Sequence, residues 1–75
     1  MKKGKKMTFG EKLKSLRKEQ KLTLKDVAER SGLSIVSVNF YENDKQKPSL
    51  VNVQKLAKGL NCTFEELYEH YERIK

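Results

Sequence analysis

Two residue types that often carry out catalysis or bind metals occur only once each in this chain of 75 residues, as Cys62 and His70. Cys62 falls in a connecting segment, and His70 falls among glutamates on a predicted exposed helix face. No nucleophile–base pair, paired acid site, phosphate-cradling glycine loop or metal-ligand cluster can be assembled from the sequence. We therefore expect a protein that is not an enzyme and that has no metal or other cofactor.

Positive charge is the next chemical feature, with 17 Lys and Arg residues against 10 Asp and Glu residues, a formal net charge of +7. Lys2, Lys3, Lys5 and Lys6 contribute four of these charges, which leaves 13 basic minus 10 acidic residues, or +3, for residues 8–75. Such an excess suits a polyanionic partner. Residues 1–7 are expected to form a flexible basic N-terminal arm, which is either a solubilising tail or a segment that contacts the polyanion.

Length and composition limit the class of protein to one domain with a modest core. Hydrophobic and charged residues each make up 36% of the chain. No apolar run approaches the ~20 residues of a membrane span, and no apolar stretch follows the N-terminal lysines as a secretory signal requires. Cys62 cannot form an internal disulfide, so we expect a cytoplasmic protein in a reducing setting, with no membrane partner.

Five Ser or Thr residues precede segments with helical spacing of apolar residues and predict five helices. Thr8 with Glu11 and Thr63 with Glu66 form capping boxes. The predicted N-caps are Thr8, Thr23, Ser34, Ser49 and Thr63. We expect the first helix to fade near residues 20–21, the second to end at residues 31–32 and the third to end near residue 43. The predicted core residues are Phe9, Leu13, Leu16, Val27, Ala28, Leu33, Val38, Tyr41, Leu50, Val53, Leu56, Ala57, Leu60, Phe64 and Leu67.

The stretch LKDVAERSGLSIVSVNFYEN, residues 24–43, has the spacing of two short helices that cross closely at a tight turn. Ala28 is small on the inner face, Gly32 can take a positive φ, and Val38 faces back from the second helix. The pattern A-x-x-x-G-x-x-x-x-x-V, followed by Tyr41 and Glu42, resembles the λ-repressor/Cro-like (XRE-type) family of DNA-binding domains. The resemblance extends over about residues 8–69.

This resemblance implies an all-α, five-helix λ-repressor-like DNA-binding domain over residues 8–75. The second and third helices would form a helix-turn-helix at about residues 24–43, and the third would lie in the DNA major groove. It also implies that Arg17 pairs with Glu42 and locks the first helix to the third. The alternative is an exposed arginine and an unrelated glutamate.

The outward side of the third helix is the predicted base-reading surface. With Val38 at the centre of the buried face, a rotation of ~100° per residue leaves Ile35 near the edge and turns four residues outward, namely Val36, Asn39, Phe40 and Asn43. Asn39 presents a donor and an acceptor, which match adenine, whereas the apolar side chains can contact only thymine methyl groups. The predicted base contacts are therefore Ile35, Val36, Asn39 and Phe40, with a preference for A/T-rich steps.

The apolar members of this set depart from the family, which usually has Gln, Arg, Ser or Thr at several of these positions. Two other interpretations stay open: a docking face for another protein, or inward packing of Ile35 or Phe40.

Predicted phosphate contacts flank the base-reading surface, at helix N-termini on one side and after the third helix on the other. The family often has a glutamine where this chain has Leu24, so one family contact is in doubt. The lysines after the third helix could instead be solvated charge. The predicted phosphate contacts are Thr23, Lys25, Ser34, Ser37, Asn43, Lys45 and Lys47.

The fifth helix carries an apolar stripe of Phe64, Leu67, Tyr68, Tyr71 and Ile74. The stripe is a candidate dimer face, although terminal aromatics can also lie along their own domain. The family resemblance implies a homodimer on a two-fold symmetric DNA site. Taken together, the resemblance implies a sequence-specific double-stranded-DNA-binding transcriptional regulator, a repressor that acts by occupancy, with no small-molecule ligand evident. The alternative is a protein-interaction module, such as an antitoxin or anti-regulator, with a protein partner on the apolar face of the third or fifth helix.

Overall fold

A computed structural model describes residues 7–71 and shows five α-helices in that range. They are α1 (Phe9–Glu19), α2 (Leu24–Ser31), α3 (Ile35–Glu42), α4 (Leu50–Gly59) and α5 (Phe64–Tyr68). The five-helix, all-α prediction is confirmed. Of the predicted basic arm, only Met7 is among the described residues. Ile74 of the predicted apolar stripe also lies outside them. Within the described range, no helix is both long enough and apolar enough to cross a membrane.

The N-terminus of every one of these helices is capped by the predicted Ser or Thr. Each cap side chain accepts a hydrogen bond from the backbone amide three residues later, as in Thr8 with Glu11 at 3.1 Å and Ser49 with Asn52 at 3.2 Å. A cap of this kind typically contributes about 1 kcal/mol. The start of each helix is therefore fixed by contacts between residues close in sequence.

The C-termini of α1 to α4 share a second feature, a residue with positive φ one or two positions after the last helical residue. These residues are Lys21, Gly32, Asp44 and Asn61, with φ between 57° and 71°. At α3, for example, the amide of Lys45 donates to the Phe40 carbonyl at 2.9 Å, which closes the last turn. Only Gly32 was predicted, because the other three positions have side chains that rarely adopt this conformation.

The core lies where α1 packs against α3 and α5, and α2 packs against α3 and α4. Leu50 is the one predicted core residue that the structure places outside, with 49% of its surface exposed. It is the first residue of α4, where the chain is still turning in from the loop. The buried hydrophobic residues are Phe9, Leu13, Val27, Ala28, Val38, Tyr41, Val53, Leu56, Ala57, Leu60 and Leu67, with Leu16, Leu33 and Phe64 partly buried against them.

Two glycines allow helices to approach each other more closely than a side chain would permit. A Cβ atom on Gly10 would lie 2.6 Å from the Tyr41 carbonyl oxygen and closer still to that of Glu42, at the end of α3. A Cβ atom on Gly59 would collide with the Ser31 hydroxyl, where α2 and α4 meet. Within residues 7–71, that hydroxyl is the one buried side-chain polar atom without a hydrogen-bond partner.

Helix α5 is shorter than its apolar stripe suggested, and Tyr71 lies beyond it. The Tyr71 ring meets Phe9 edge-on at 6.1 Å, and its hydroxyl donates to the Pro48 carbonyl at 2.7 Å. Tyr71 thus packs on its own domain, whereas Tyr68 stays 43% exposed and stacks between the rings of Phe64 and Tyr71.

Replacement of Gly10 by alanine tests the close approach of α1 to α3. Alanine has a higher helix propensity than glycine, worth about 1 kcal/mol, so propensity alone predicts a gain in stability. Because the new Cβ would overlap backbone atoms of α3, we expect Gly10→Ala instead to lower the free energy of unfolding by about 2 kcal/mol. Urea unfolding followed by circular dichroism measures the change. Lys14→Ala, on the exposed side of the same helix, is the control and should change little; a Gly10→Ala variant as stable as the wild type would contradict the close contact.

Candidate nucleic-acid interface

Helix α3 presents two chemically distinct sides. Val38, Tyr41 and Glu42 are buried, while the four predicted base-contact residues are exposed. Ile35 is 46% exposed, Val36 61% and Phe40 40%, and Asn39 is exposed as well. The structure thus does not support inward packing of Ile35 or Phe40. We call Ile35, Val36, Asn39 and Phe40 the outer face of α3.

The polar group of this face, the Asn39 carboxamide, is held by its neighbour. The Asn43 side-chain amide donates to the Asn39 backbone carbonyl at 2.9 Å and to Asn39 Oδ1 at 3.0 Å. A carboxamide oxygen can accept a second hydrogen bond, so the Asn39 oxygen and amide both stay able to meet a base edge. Asn43 therefore orients Asn39 in addition to its predicted place among the phosphate contacts.

The inner side of α3 is fixed to α1 by the predicted pair of Arg17 and Glu42. Arg17 Nε donates to Glu42 Oε2 at 2.6 Å and Nη2 donates to Oε1 at 3.1 Å, which makes the contact bidentate. The side chains are only 14% and 5% exposed. Arg17 Nη1 also donates to the Leu22 carbonyl at 2.9 Å, so one guanidinium joins α1, α3 and the segment before α2.

A second connection, through Asp44, was not predicted from the sequence. The Asp44 carboxylate accepts hydrogen bonds from the Thr8 hydroxyl at 2.6 Å and from the Gly10 amide at 2.9 Å. A carboxylate at a helix N-terminus is favourable because unpaired amides and the helix dipole both attract it. Asp44 therefore caps α1 from the end of α3. Its partners lie more than 30 residues away, and the local sequence showed only a polar loop.

The predicted phosphate contacts at the start of α2 are partly engaged within the domain. Thr23 and Lys25 are exposed, but the Thr23 amide already donates to the Asp26 carboxylate at 2.9 Å. That hydrogen bond is the main reason why the pKa of Asp26 lies below its usual range. The Thr23 hydroxyl accepts from the Asp26 amide at 3.0 Å, and its proton remains available to a phosphate.

The start of α3 offers two hydroxyls to an anion. Ser34 Oγ accepts from the Ser37 amide and donates to Ser37 Oγ, both at 3.0 Å. The Ser37 hydroxyl can then pass its own proton to a phosphate oxygen. The two serines form one polar cluster beside Ile35, at the N-terminal end of the outer face.

The lysines after α3 lie in a loop that Tyr71 contacts at Lys47 and Pro48. Lys45 and Lys47 are exposed, and Lys47 Nζ lies 4.8 Å from the centre of the Tyr71 ring. A cation over a tyrosine ring is attracted by the π-electrons. Because Tyr71 also bonds to Pro48, the loop has a defined position beside the end of α3.

The two residues considered for catalysis lie outside α3, His70 after α5 and Cys62 before it. His70 is half-buried in the turn after α5, and its Nδ1 lies 3.1 Å from the Met7 carbonyl oxygen. The prediction that His70 lies on an exposed helix face is therefore wrong. Cys62 is a free, half-buried thiol between α4 and α5, and burial raises its pKa. The described residues contain no group of three or more His, Cys, Asp or Glu side chains that could hold a metal ion.

Comparison with known proteins identifies matches over nearly all of the chain. A family model described as helix-turn-helix matches residues 13–67. The control protein C.MunI from a Mycoplasma species is 39% identical over 69 residues, which is 91% of this chain and 93% of that protein. The transcriptional repressor RghR of Bacillus subtilis is 39% identical over 61 residues, 80% of this chain but only 45% of its own length. This chain thus spans about half the length of RghR.

Two solved structures of similar proteins have the same fold as this chain. The restriction-modification controller protein C.AhdI from Aeromonas hydrophila superposes with a TM-score of 0.77 at 37% identity, covering 79% of this chain and 89% of that one. The DNA-binding domain of the P22 C2 repressor superposes with a TM-score of 0.80 at 22% identity, covering 96% and 92%. The second match supports the fold alone.

Replacement of Asp44 by glycine separates the role of the carboxylate from the strain of its backbone. Glycine relieves a positive φ by about 1 kcal/mol, but it removes a charged acceptor from two donors at α1. Since hydrogen bonds to charged groups are worth about 1.5–3 kcal/mol each, the loss of two outweighs the relieved strain, and we expect Asp44→Gly to be less stable than the wild type by at least about 2 kcal/mol. Asn61→Gly is the matched control, because Asn61 has the same φ of 57° and is exposed. Asn61→Gly should have a higher melting temperature than the wild type. If Asp44→Gly raised the melting temperature by the same amount, the Asp44 carboxylate would add nothing to stability.

Proposed function

Because this chain belongs to the helix-turn-helix family of DNA-binding transcriptional regulators, which are not enzymes, we propose that its outer face of α3 enters the major groove of double-stranded DNA and selects the sequence bound. The observation that carries this proposal is the division of α3 into a locked inner side and an exposed outer face. Ion pairing of Glu42 with Arg17 fixes the helix, and four adjacent side chains stay free to meet base edges.

Assigned roles follow from the chemistry of each side chain. Asn39, oriented by Asn43, pairs with adenine, and the apolar members of the outer face contact thymine methyl groups. The phosphate contacts that we assign are the hydroxyls of Thr23, Ser34 and Ser37 with Lys25 at the starts of α2 and α3, and Asn43, Lys45 and Lys47 after α3. These contacts fix the register of the protein on DNA and carry little sequence information.

We infer repression by occupancy as the regulatory outcome. RghR is named a transcriptional repressor, and a further relative, 39% identical over 69 residues, is the immunity repressor of Bacillus phage phi105. C.MunI and C.AhdI are named control and controller proteins. The free thiol of Cys62 agrees with action in a reducing compartment, and we place the protein in the cytoplasm.

A homodimer on a two-fold symmetric site is the assembly that we propose. Helices α4 and α5 leave Leu50, Val51 and Tyr68 49%, 60% and 43% exposed, so apolar surface remains after Tyr71 has packed on its own domain. A dimer would place two copies of α3 in successive turns of the major groove.

A protein-interaction module is the alternative function, and the exposed Ile35, Val36 and Phe40 are the observation that favours it. Selection from a random duplex library at physiological salt, with excess nonspecific competitor, distinguishes the two. A recovered two-fold symmetric, A/T-rich motif supports DNA reading by a dimer. If no motif is enriched and binding disappears as salt rises, the outer face is not a DNA-reading surface.

Asn39→Ala tests base reading on the recovered site. Loss of a bidentate contact to adenine should cost about 1–3 kcal/mol in binding and relax the base preference at one position. Fluorescence anisotropy with the selected duplex and with single-base variants measures both effects. Unchanged selectivity would remove Asn39 from the base contacts.

Lys45→Ala tests the phosphate contacts through their dependence on salt. We expect weaker binding to all sequences and a slope of log K against log salt that is shallower by about one unit. Lys55→Ala is the matched control, because it removes the same charge from an exposed lysine of α4 outside the predicted set. Identical slopes for the two variants would show that Lys45 acts only through net charge.

A further inference from the structure

The outer face of α3 has an unusual balance of polar and apolar side chains for a surface that reads DNA. Three of its four members are large and apolar, and each is at least 40% exposed. Exposed apolar side chains of this size cannot form hydrogen bonds, so they contribute to recognition only through contact with another apolar group.

Hydrogen-bonding capacity on the same face is limited to Asn39 and its neighbours. The oxygen of Asn39 already accepts one hydrogen bond from Asn43, and the hydroxyls of Ser34 and Ser37 bond to each other. One side chain of the outer face therefore remains for direct reading of donors and acceptors. Direct base contacts by the other three side chains of this face are therefore apolar.

The major groove offers one apolar group to such side chains, the C5-methyl group of thymine. Cytosine differs from thymine in two ways there, since it lacks this methyl group and carries an amino group in place of the O4 carbonyl. An apolar side chain senses the first difference and makes no hydrogen bond that could sense the second. Methylation of cytosine at C5 restores the methyl group at the same place on the ring.

We propose that Ile35, Val36 and Phe40 read C5-methyl groups, and that at the positions they contact the protein accepts 5-methylcytosine in place of thymine. This inference rests on the proposed function. It makes the protein sensitive to the methylation state of cytosines in its site, with tighter binding to the methylated base.

Parallel selections from three duplex libraries of the same random design test the proposal. One library contains the four ordinary bases, the second contains uracil in place of thymine, and the third contains 5-methylcytosine in place of cytosine. We expect a thymine-containing motif from the first and weaker enrichment from the second. From the third we expect the same motif with some thymine positions now occupied by thymine or 5-methylcytosine.

Protein variants then assign the methyl contacts to side chains. On the recovered duplex, each thymine-to-uracil change at a contacted position should weaken wild-type binding about fourfold, the value of one buried methyl group. Val36→Ser should lose this sensitivity at one position and retain it elsewhere. Gln54→Ser is the control, because Gln54 is exposed on α4 and lies outside both the outer face and the apolar surface proposed for the dimer; it should keep the wild-type pattern.

The outcomes separate this proposal from the proposed function. A clear motif that binds equally well with uracil, and that keeps strict thymine in the methylated library, overturns methyl reading and leaves sequence-specific binding intact. Failure to enrich any motif from all three libraries overturns both. Sensitivity that disappears equally in Val36→Ser and Gln54→Ser would also contradict the assignment to the outer face.

Discussion

The buried ion pair between Arg17 and Glu42 is the interaction on which the arrangement of this domain depends. Two charges removed from water destabilise a fold unless each is matched, and here the guanidinium meets both carboxylate oxygens. Its remaining hydrogen bond to the Leu22 carbonyl ties in the segment that leads to α2. Since α2 and α3 form the helix-turn-helix, this one side chain sets the position of both helices relative to α1.

The Asp44 carboxylate provides a second attachment between the end of α3 and α1. It lies two residues after Glu42 and is bound to Thr8 and Gly10, so the end of α3 is attached to α1 at two points. A recognition surface that is held by its supporting residues loses little conformational freedom on binding. The outer face of α3 is therefore preorganised for binding, and the hydrogen bond from Asn43 fixes the orientation of the Asn39 side chain.

Structural features formed by residues close together in sequence were predicted, and most of those formed by residues far apart were not. All five helix starts were predicted, because a cap and its partner are three residues apart. The pair of Arg17 and Glu42 spans 25 residues and came only from the family resemblance. The contacts of Asp44 with α1 and of Tyr71 with Phe9 had no local signal, since side chains and backbone groups meet there only after the helices pack. Leu50 was misassigned because the periodicity of an apolar stripe does not show where a helix first reaches the core.

The close contact between Gly59 and Ser31 has a consequence for how this sequence can evolve. A side chain at position 59 would first collide with the Ser31 hydroxyl, a buried group that has no partner among the described residues. Without that hydroxyl, the nearest remaining atoms would be the Ser31 amide nitrogen and Cβ at 3.1 and 3.2 Å, which a shift of a few tenths of an ångström can accommodate. The two positions are therefore epistatic: Ser31→Ala, which removes the hydroxyl, allows a later Gly59→Ala, while the reverse order passes through a less stable intermediate.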